Sequence, residues 1–209
     1  MDPSIVSNDF VVRDKEELRR LYGEPVDLVK RKVLARLDGH CARFIALSPL
    51  VFIATAETDG RCDVSAHGDA PGFVKLLDDR HLAVPDRPGN NRLDALSNIV
   101  ENGHAGLVFV IPGRDETLRV NGSAAVVVAP DLLAGMAVGS KRPRAAILIE
   151  IEEAFLHCGL AFRRGIIWDP ARFLTAGALP GFAAMLADHT RPDQMEQAMI
   201  DQSTRAPLY

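Results

Sequence analysis

The chain has 209 residues, 47% of them hydrophobic, with a formal net charge of −4 and three cysteines. That favours one compact domain with a sizeable core, and it argues against a broad basic surface for nucleic acid while leaving room for a local basic pocket. No apolar run reaches the length of a membrane span, and Met1-Asp2-Pro3-Ser4 opens without the charged and apolar segments of a signal peptide, so the sequence reads as cytoplasmic.

The first predicted element is a charged helix from Asp14 to Tyr22, interrupted by Gly23 and Pro25. A second helix is predicted over Val26 to Leu37, with Gly39 as its stop, and a short helical piece over Cys41 to Leu47. These residues read as a helical lid on the main body. From Leu50 the period changes. Leu50 to Ala56 is apolar and β-branched, Asp59-Gly60 is a hairpin turn, and Arg61 to Ala66 is the return strand. Phe73 to Leu77 and His81 to Val84 form a second pair around Asp78-Asp79. A helix follows from about Asn91 to Val100, with Leu93, Leu96, Ile99 and Val100 facing inward.

Ala105 to Ile111 is a buried strand that turns at Pro112-Gly113. Thr117 to Val128 is a long strand bent at Gly122, and Pro130 to Val138 is a short helix. In the last strand, Ala145 to Phe155, Ile147, Ile149 and Ile151 alternate with Glu150 and Glu152. Gly159 to Trp168 is helical, Asp169-Pro170 stops or restarts the helix, and the tail from Ala176 holds one or two amphipathic helices. Six or seven strands joined by hairpins predict an antiparallel sheet, with a small barrel as the way to close its edges. The expected division is residues 1–48 as a helical segment packed on the barrel, 49–168 as the core, and 169–209 as a C-terminal helical segment.

The chemistry-bearing stretch is the corner after Val84: Pro85, Asp86, Arg87, Pro88, Gly89, Asn90, Asn91 and Arg92. A helix start offers free N–H groups and the positive end of its dipole, and Arg87 and Arg92 add planar donor forks that suit a phosphate. The competing reading is two solvated arginines. Cys41, Cys62 and Cys158 are too widely spaced for a disulfide framework or a zinc pattern. The neighbours in His40-Cys41 and His157-Cys158 point apart, so no metal site is expected. No glycine-rich dinucleotide or P-loop fingerprint and no G-x-S-x-G occurs.

His67 is either a functional donor or an exposed strand-end residue. Asp63 and Asp69 are expected to pair with Arg61 or Arg87 at the surface. Trp168 either walls a pocket or anchors packing. Of Arg163 and Arg164, only one is expected to face inward.

Three segments carry a resemblance: the hairpin Asp59 to Gly68, the run Pro85-Asp86-Arg87-Pro88-Gly89-Asn90, and Leu118-Arg119-Val120-Asn121-Gly122, with His157-Cys158 and Trp168 behind them. Over Leu50 to Trp168 the chain resembles the flavin-binding split-barrel superfamily of pyridoxamine 5′-phosphate oxidase, in particular an uncharacterised FMN-dependent subgroup. The resemblance implies a six- or seven-stranded antiparallel split β-barrel, mainly β with flanking helices, and a homodimer with FMN at the subunit interface. It implies that Val64, Ser65, Ala66, His67 and Gly68 run beside the flavin ring. Pro85, Asp86 and Arg87 would line the ribityl chain, with Asp86 accepting hydrogen bonds from its hydroxyls. Asn90, Asn91 and Arg92 would hold the phosphate. Arg119, Asn121, Arg164 and Trp168 would complete the pocket, some from the partner subunit.

The chain departs from that pattern where Ser65-Ala66-His67-Gly68 replaces Ser-Pro-Arg-Gly, and where Leu160 stands in place of a common lysine. The reaction implied is an FMN-dependent oxidation or reduction of a small molecule, with no catalytic residue assigned. Pyridoxamine 5′-phosphate is not the expected substrate, because Ser203-Thr204-Arg205-Ala206-Pro207-Leu208-Tyr209 lacks the phosphate-clamping set. The alternatives are a flavin-binding protein without turnover, or a split barrel using haem or a deazaflavin.

Overall fold

The computed structural model describes residues 5–203, so the readings made on residues 1–4 and 204–209 lie outside it. The chain divides into two units, residues 1–34 and 35–209. In the first, α1 (Lys15–Tyr22) is capped by Asp14, whose side chain accepts from the Glu17 N–H, and it ends at Gly23 with φ +71°. The second helix, α2, covers only Asp27–Arg31 instead of running to Leu37. Val26 offers no capping side chain, and the valines that gave this stretch its apolar face are weak helix formers.

The second unit opens with α3 (Gly39–Leu47). Asp38 accepts from the Cys41 N–H at 2.8 Å, so Gly39 starts this helix and does not stop the previous one. The strands are β1 (Leu50–Ala56), β2 (Cys62–Gly68), β3 (Lys75–Leu76), β4 (His81–Pro85), β5 (His104–Val110), β6 (Thr117–Val127) and β7 (Ala146–His157). They form one sheet in the order β2-β1-β5-β6-β7-β4-β3, and every pairing is antiparallel. Gly60 turns the first hairpin at φ +89°. The register shifts between Asn121 and Gly122, where the bend in β6 is expected, and a Cβ on Gly122 would collide with the Glu150 backbone.

One face of the sheet is the core: Val51, Ile53, Leu107, Phe109, Leu118, Val120, Leu82, Val84, Ile147, Ile149 and Ile151 are all buried. The isoleucines of β7 alternate with exposed Glu150 and Glu152, as the pattern predicts. α4 (Asp94–Asn102) covers the core with Ala95, Asn98 and Ile99, while Leu93 and Val100 are exposed. The helix starts three residues later than expected, at Asp94, so Leu93 lies outside it. Asn98 donates to the Thr55 hydroxyl at 3.0 Å, a buried polar link between α4 and β1. α5 (Pro130–Ala134) precedes β7. After β7 come α6 (Leu160–Gly165), a 3-10 turn at Pro170–Arg172 capped by Asp169, α7 (Phe182–Thr190) and α8 (Gln194–Ser203). Among the described residues, no helix is long and apolar enough to cross a membrane.

The hydrogen-bonded sheet does not close, because β2 and β3 each have one neighbour only. β3 is two residues long, too short to complete a ladder with β2. A side-chain contact instead joins the edge strand β2 to β4, the strand beside the opposite margin. Asp69 follows β2, Arg87 follows β4, and Arg87 Nε donates to Asp69 Oδ2 at 2.7 Å. β2 and β4 are five steps apart in the sheet, roughly 24 Å if it were flat at about 4.8 Å per strand. The sheet therefore curls until its margins face each other.

The free thiols differ in access. Cys41 is buried, and desolvation pushes its thiol up to about 11, whereas Cys62 and Cys158 are exposed. Brief alkylation of native protein with iodoacetamide at pH 8 is expected to label Cys62 and Cys158 and to leave Cys41 unmodified until denaturant is added, as read by peptide mass spectrometry.

Candidate functional site

β2 is an edge strand whose two sets of residues do different things. The Asp69 N–H donates to Pro49 O, and the Glu57 N–H to Arg61 O. With the β1–β2 register, these bonds place the odd-numbered residues of β2 in hydrogen-bonded pairs with β1. The backbone N–H and C=O groups of Val64, Ala66 and Gly68 consequently point away from β1, along the open edge. Their side-chain positions are on the exposed sheet face, where Val64 is 64% exposed. Ser65 and His67 take the other face, opposite buried Ile53 and Val51. Ser65 Oγ lies 3.0 Å from His67 Nε2.

Across the seam stands the segment after β4. Asp86 is half-buried and its backbone N–H donates to Ala145 O. Burial raises the Asp86 pKa, opposed by His67 and Arg144. Burial lowers the His67 pKa, opposed by Asp86. The two groups thus feel each other across the gap. Arg87 donates from Nε to Asp69 and from Nη1 to Met136 O at 2.8 Å. The side chains of Arg87 and Asp69 are 18% and 8% exposed, so this is an enclosed pair and not the surface pair expected. Arg87 therefore ties β2, β4 and the end of α5 together.

The helix start is later than the sequence suggests. Asn90, Asn91 and Arg92 precede α4, and Asn91 and Leu93 have φ of +59° and +60°. These left-handed turns keep Asn91, Arg92 and Leu93 out of the helix's first turn, which begins at Asp94. Arg92 is exposed, and its Nε donates to Asp94 Oδ2 at 2.7 Å. Asn90 Oδ1 accepts from the Arg92 N–H. Pro85 is buried as the last residue of β4.

The remaining predicted residues are elsewhere in the same chain. Arg119 stacks over the Phe155 ring at 5.1 Å, and Asn121 Nδ2 donates to Glu153 Oε1 at 2.5 Å. Cross-strand register places Ala66, Phe52, Val108, Arg119 and Phe155 in one row. Arg119 is three strands from Ala66, roughly 14 Å at about 4.8 Å per strand. Trp168 stacks on Phe162 and donates from Nε1 to Arg114 O at 2.9 Å. The two rings line an open depression of about 230 Å³ with Asp115, Arg163 and Ile166. Arg163 borders that depression and Arg164 does not, but both are exposed, so neither faces inward as expected of one of them.

Sequence reasoning missed the Ser65–His67 bond, Arg144 and the Met136 carbonyl. The i, i+2 spacing of Ser65 and His67 on a strand was the one readable signal. Among the described residues, no group of three or more His, Cys, Asp or Glu side chains is placed to hold a metal ion.

Among solved structures, the chain is similar to HupZ of Group A Streptococcus, with 20% identity over 57% of this chain and 93% of that one and a TM-score of 0.48. It is similar also to an FMN-binding protein from Syntrophomonas wolfei, with 11% identity over 68% of this chain and 96% of that one and a TM-score of 0.45. No curated protein matches. The family model described as pyridoxamine 5′-phosphate oxidase matches residues 37–158, more than half of the sequence, and the chain belongs to that family.

Proposed function

We propose that this protein is an FMN-dependent oxidoreductase acting on a small molecule, with the flavin nucleotide seated along the polar seam between β2 and the segment after β4. Membership in a flavin-binding family supports the class of cofactor. The observation that carries the reading is the open edge of β2, where Val64, Ala66 and Gly68 present an alternating row of N–H and C=O groups. The polar edge of a flavin ring alternates donors and acceptors in the same way and can pair with such a row.

The other residues fit a flavin nucleotide in kind. Asp86 can accept hydrogen bonds from the ribityl hydroxyls. Asn90, Asn91 and Arg92 form an exposed donor set suited to a terminal phosphate. Arg87 has a different task from the one expected, because its Nε and Nη1 already hold the seam together. When bound, FMN supplies the redox chemistry; the chain's residues bind it, orient it and shape the space beside it.

A homodimer completes the proposed site. Arg119 and Asn121 stand three strands from the β2 edge, each already engaged within its own chain, and a second copy can bring its own Arg119 and Asn121 to a ligand at that edge. Arg164 and Trp168 are assigned to the same pocket on the family resemblance. The exposed apolar Val64 and Phe52 on the outward face of the sheet support this association.

One observation favours a second reading, a flavin-binding protein without turnover. Asp69 offsets Arg87, and Asp86 adds a second carboxylate, so the seam holds little net positive charge to stabilise a reduced ring. Flavin reduced by NADH or NADPH in stopped flow supports the oxidoreductase; flavin that stays oxidised with both supports the binding protein.

Purified protein is expected to carry, or to take up stoichiometrically, FMN with a flavin absorption spectrum. Extracted haem or deazaflavin, or a colourless protein that ignores added FMN, would contradict the proposal. Arg92→Ala is expected to weaken FMN binding about tenfold, the loss of one charge-assisted contact, with urea stability unchanged within about 0.5 kcal/mol.

Arg87→Met is expected to act first on stability. It leaves the Asp69 carboxylate enclosed without its cation, and equilibrium urea unfolding should show a loss of about 3 kcal/mol.

A further inference from the structure

Ser65 and His67 leave β2 on the same side, and the 3.0 Å contact between Ser65 Oγ and His67 Nε2 holds the imidazole in the seam. The hydroxyl can donate to an unprotonated Nε2 or accept from a protonated one, so this contact survives a change in the charge of the ring. The groups facing His67 come from three places. On its own strand and just past it are Ser65 and the Asp69 carboxylate, which is paired with Arg87. From the segment after β4 comes Asp86, and Arg144, before β7, acts in turn on Asp86.

With His67 neutral, the formal charges near the seam balance: Asp69 and Arg87 form an ion pair, and the exposed Arg144 acts on Asp86 through its charge alone. Beyond the exposed Arg92, which is paired with Asp94, negative charge that reaches this half-buried space meets no surplus cation. Poorly screened negative charge there strongly favours a compensating proton, and the imidazole is the group placed to accept it.

We infer that Ser65, His67 and Asp86 form a proton-linked binding element, in which His67 takes up one proton as an anionic ligand enters the seam. The inference rests on the flavin reading above for its probe, FMN, and goes beyond it by assigning a protonation change to binding. The direction follows from linkage. Burial keeps the free imidazole's proton affinity below the ordinary histidine range, so the ring is neutral at pH 7. A bound anion raises that affinity. Binding is therefore strongest below the pKa of His67 in the free protein and weakens as pH rises through it. A purely structural Ser65–His67 contact, one that only stiffens an edge strand, predicts none of this.

The direct test is an NMR titration of the His67 ring protons in the intact protein, with and without saturating FMN. The expected result is that FMN raises the proton affinity of His67 about tenfold, with matching weakening of FMN binding as pH rises from about 4.5 to 8. The phosphate of FMN also titrates near pH 6, so His67→Arg, which is charged throughout, serves as the reference. The ratio of wild-type to His67→Arg affinity should fall about tenfold over that range. FMN bound equally well at every pH, with an unchanged His67 titration, would overturn the inference and leave the flavin reading standing. The wild-type NMR arm decides this even if the variant does not fold. Failure of the wild-type protein to bind FMN at any pH would overturn both.

Discussion

The fold of the second unit depends on an ion pair between residues that are distant both in sequence and along the sheet. Hydrogen bonding leaves the seven strands as an open ribbon with β2 at one end and β3 at the other. Asp69 and Arg87 join β2 to the end of β4, beside the other margin, and the second Arg87 donor reaches the Met136 carbonyl past the end of α5. A pair this enclosed contributes little net stability compared with apolar packing, but it is costly to half-remove. Its larger consequence is geometric. It sets the width of a seam whose walls are an unpaired strand edge on one side and a half-buried carboxylate on the other.

That arrangement also sorts the side chains of β2 by face. Ser65 and His67 turn toward the core side and meet the charges across the seam. Val64, Ala66 and Gly68 present their backbone polar groups at the edge without a strand partner among the described residues, and Val64 lies on an exposed apolar surface with Phe52. An unprotected edge beside apolar surface is a liability in a lone chain. Paired with a heterocycle and covered by a second copy, both features acquire a use. Arg119 and Asn121 share the outward face, Arg119 held by a cation–π contact with Phe155 and Asn121 by a hydrogen bond to Glu153.

The strands were readable because their signals are local. Alternation marked β7, Asp59-Gly60 marked the first hairpin, and Gly122 marked the bulge that its missing side chain permits. The start of α4 was misread because Asn91 and Leu93 adopt left-handed backbone, which leucine seldom does and composition does not announce. The ion pair was half legible: Asp69 had two arginines to choose from, and only the curl of the sheet selects Arg87 and encloses the pair. Arg144 and Met136 were illegible, since each enters the seam from a connection far away in sequence. Asp38 was overlooked as a cap because Gly39 beside it looked like a helix end.

The account's central claim is that the open edge of β2 is where a flavin ring is read. Hydrogen–deuterium exchange at single-residue resolution tests it most directly, by comparing the amides of Val64, Ala66 and Gly68 with and without FMN. The account predicts that these three, unpaired in the free chain, become strongly protected on FMN addition, while Ser65 and His67, already bonded to β1, change little. Bound FMN with unchanged exchange at Val64, Ala66 and Gly68 would contradict it.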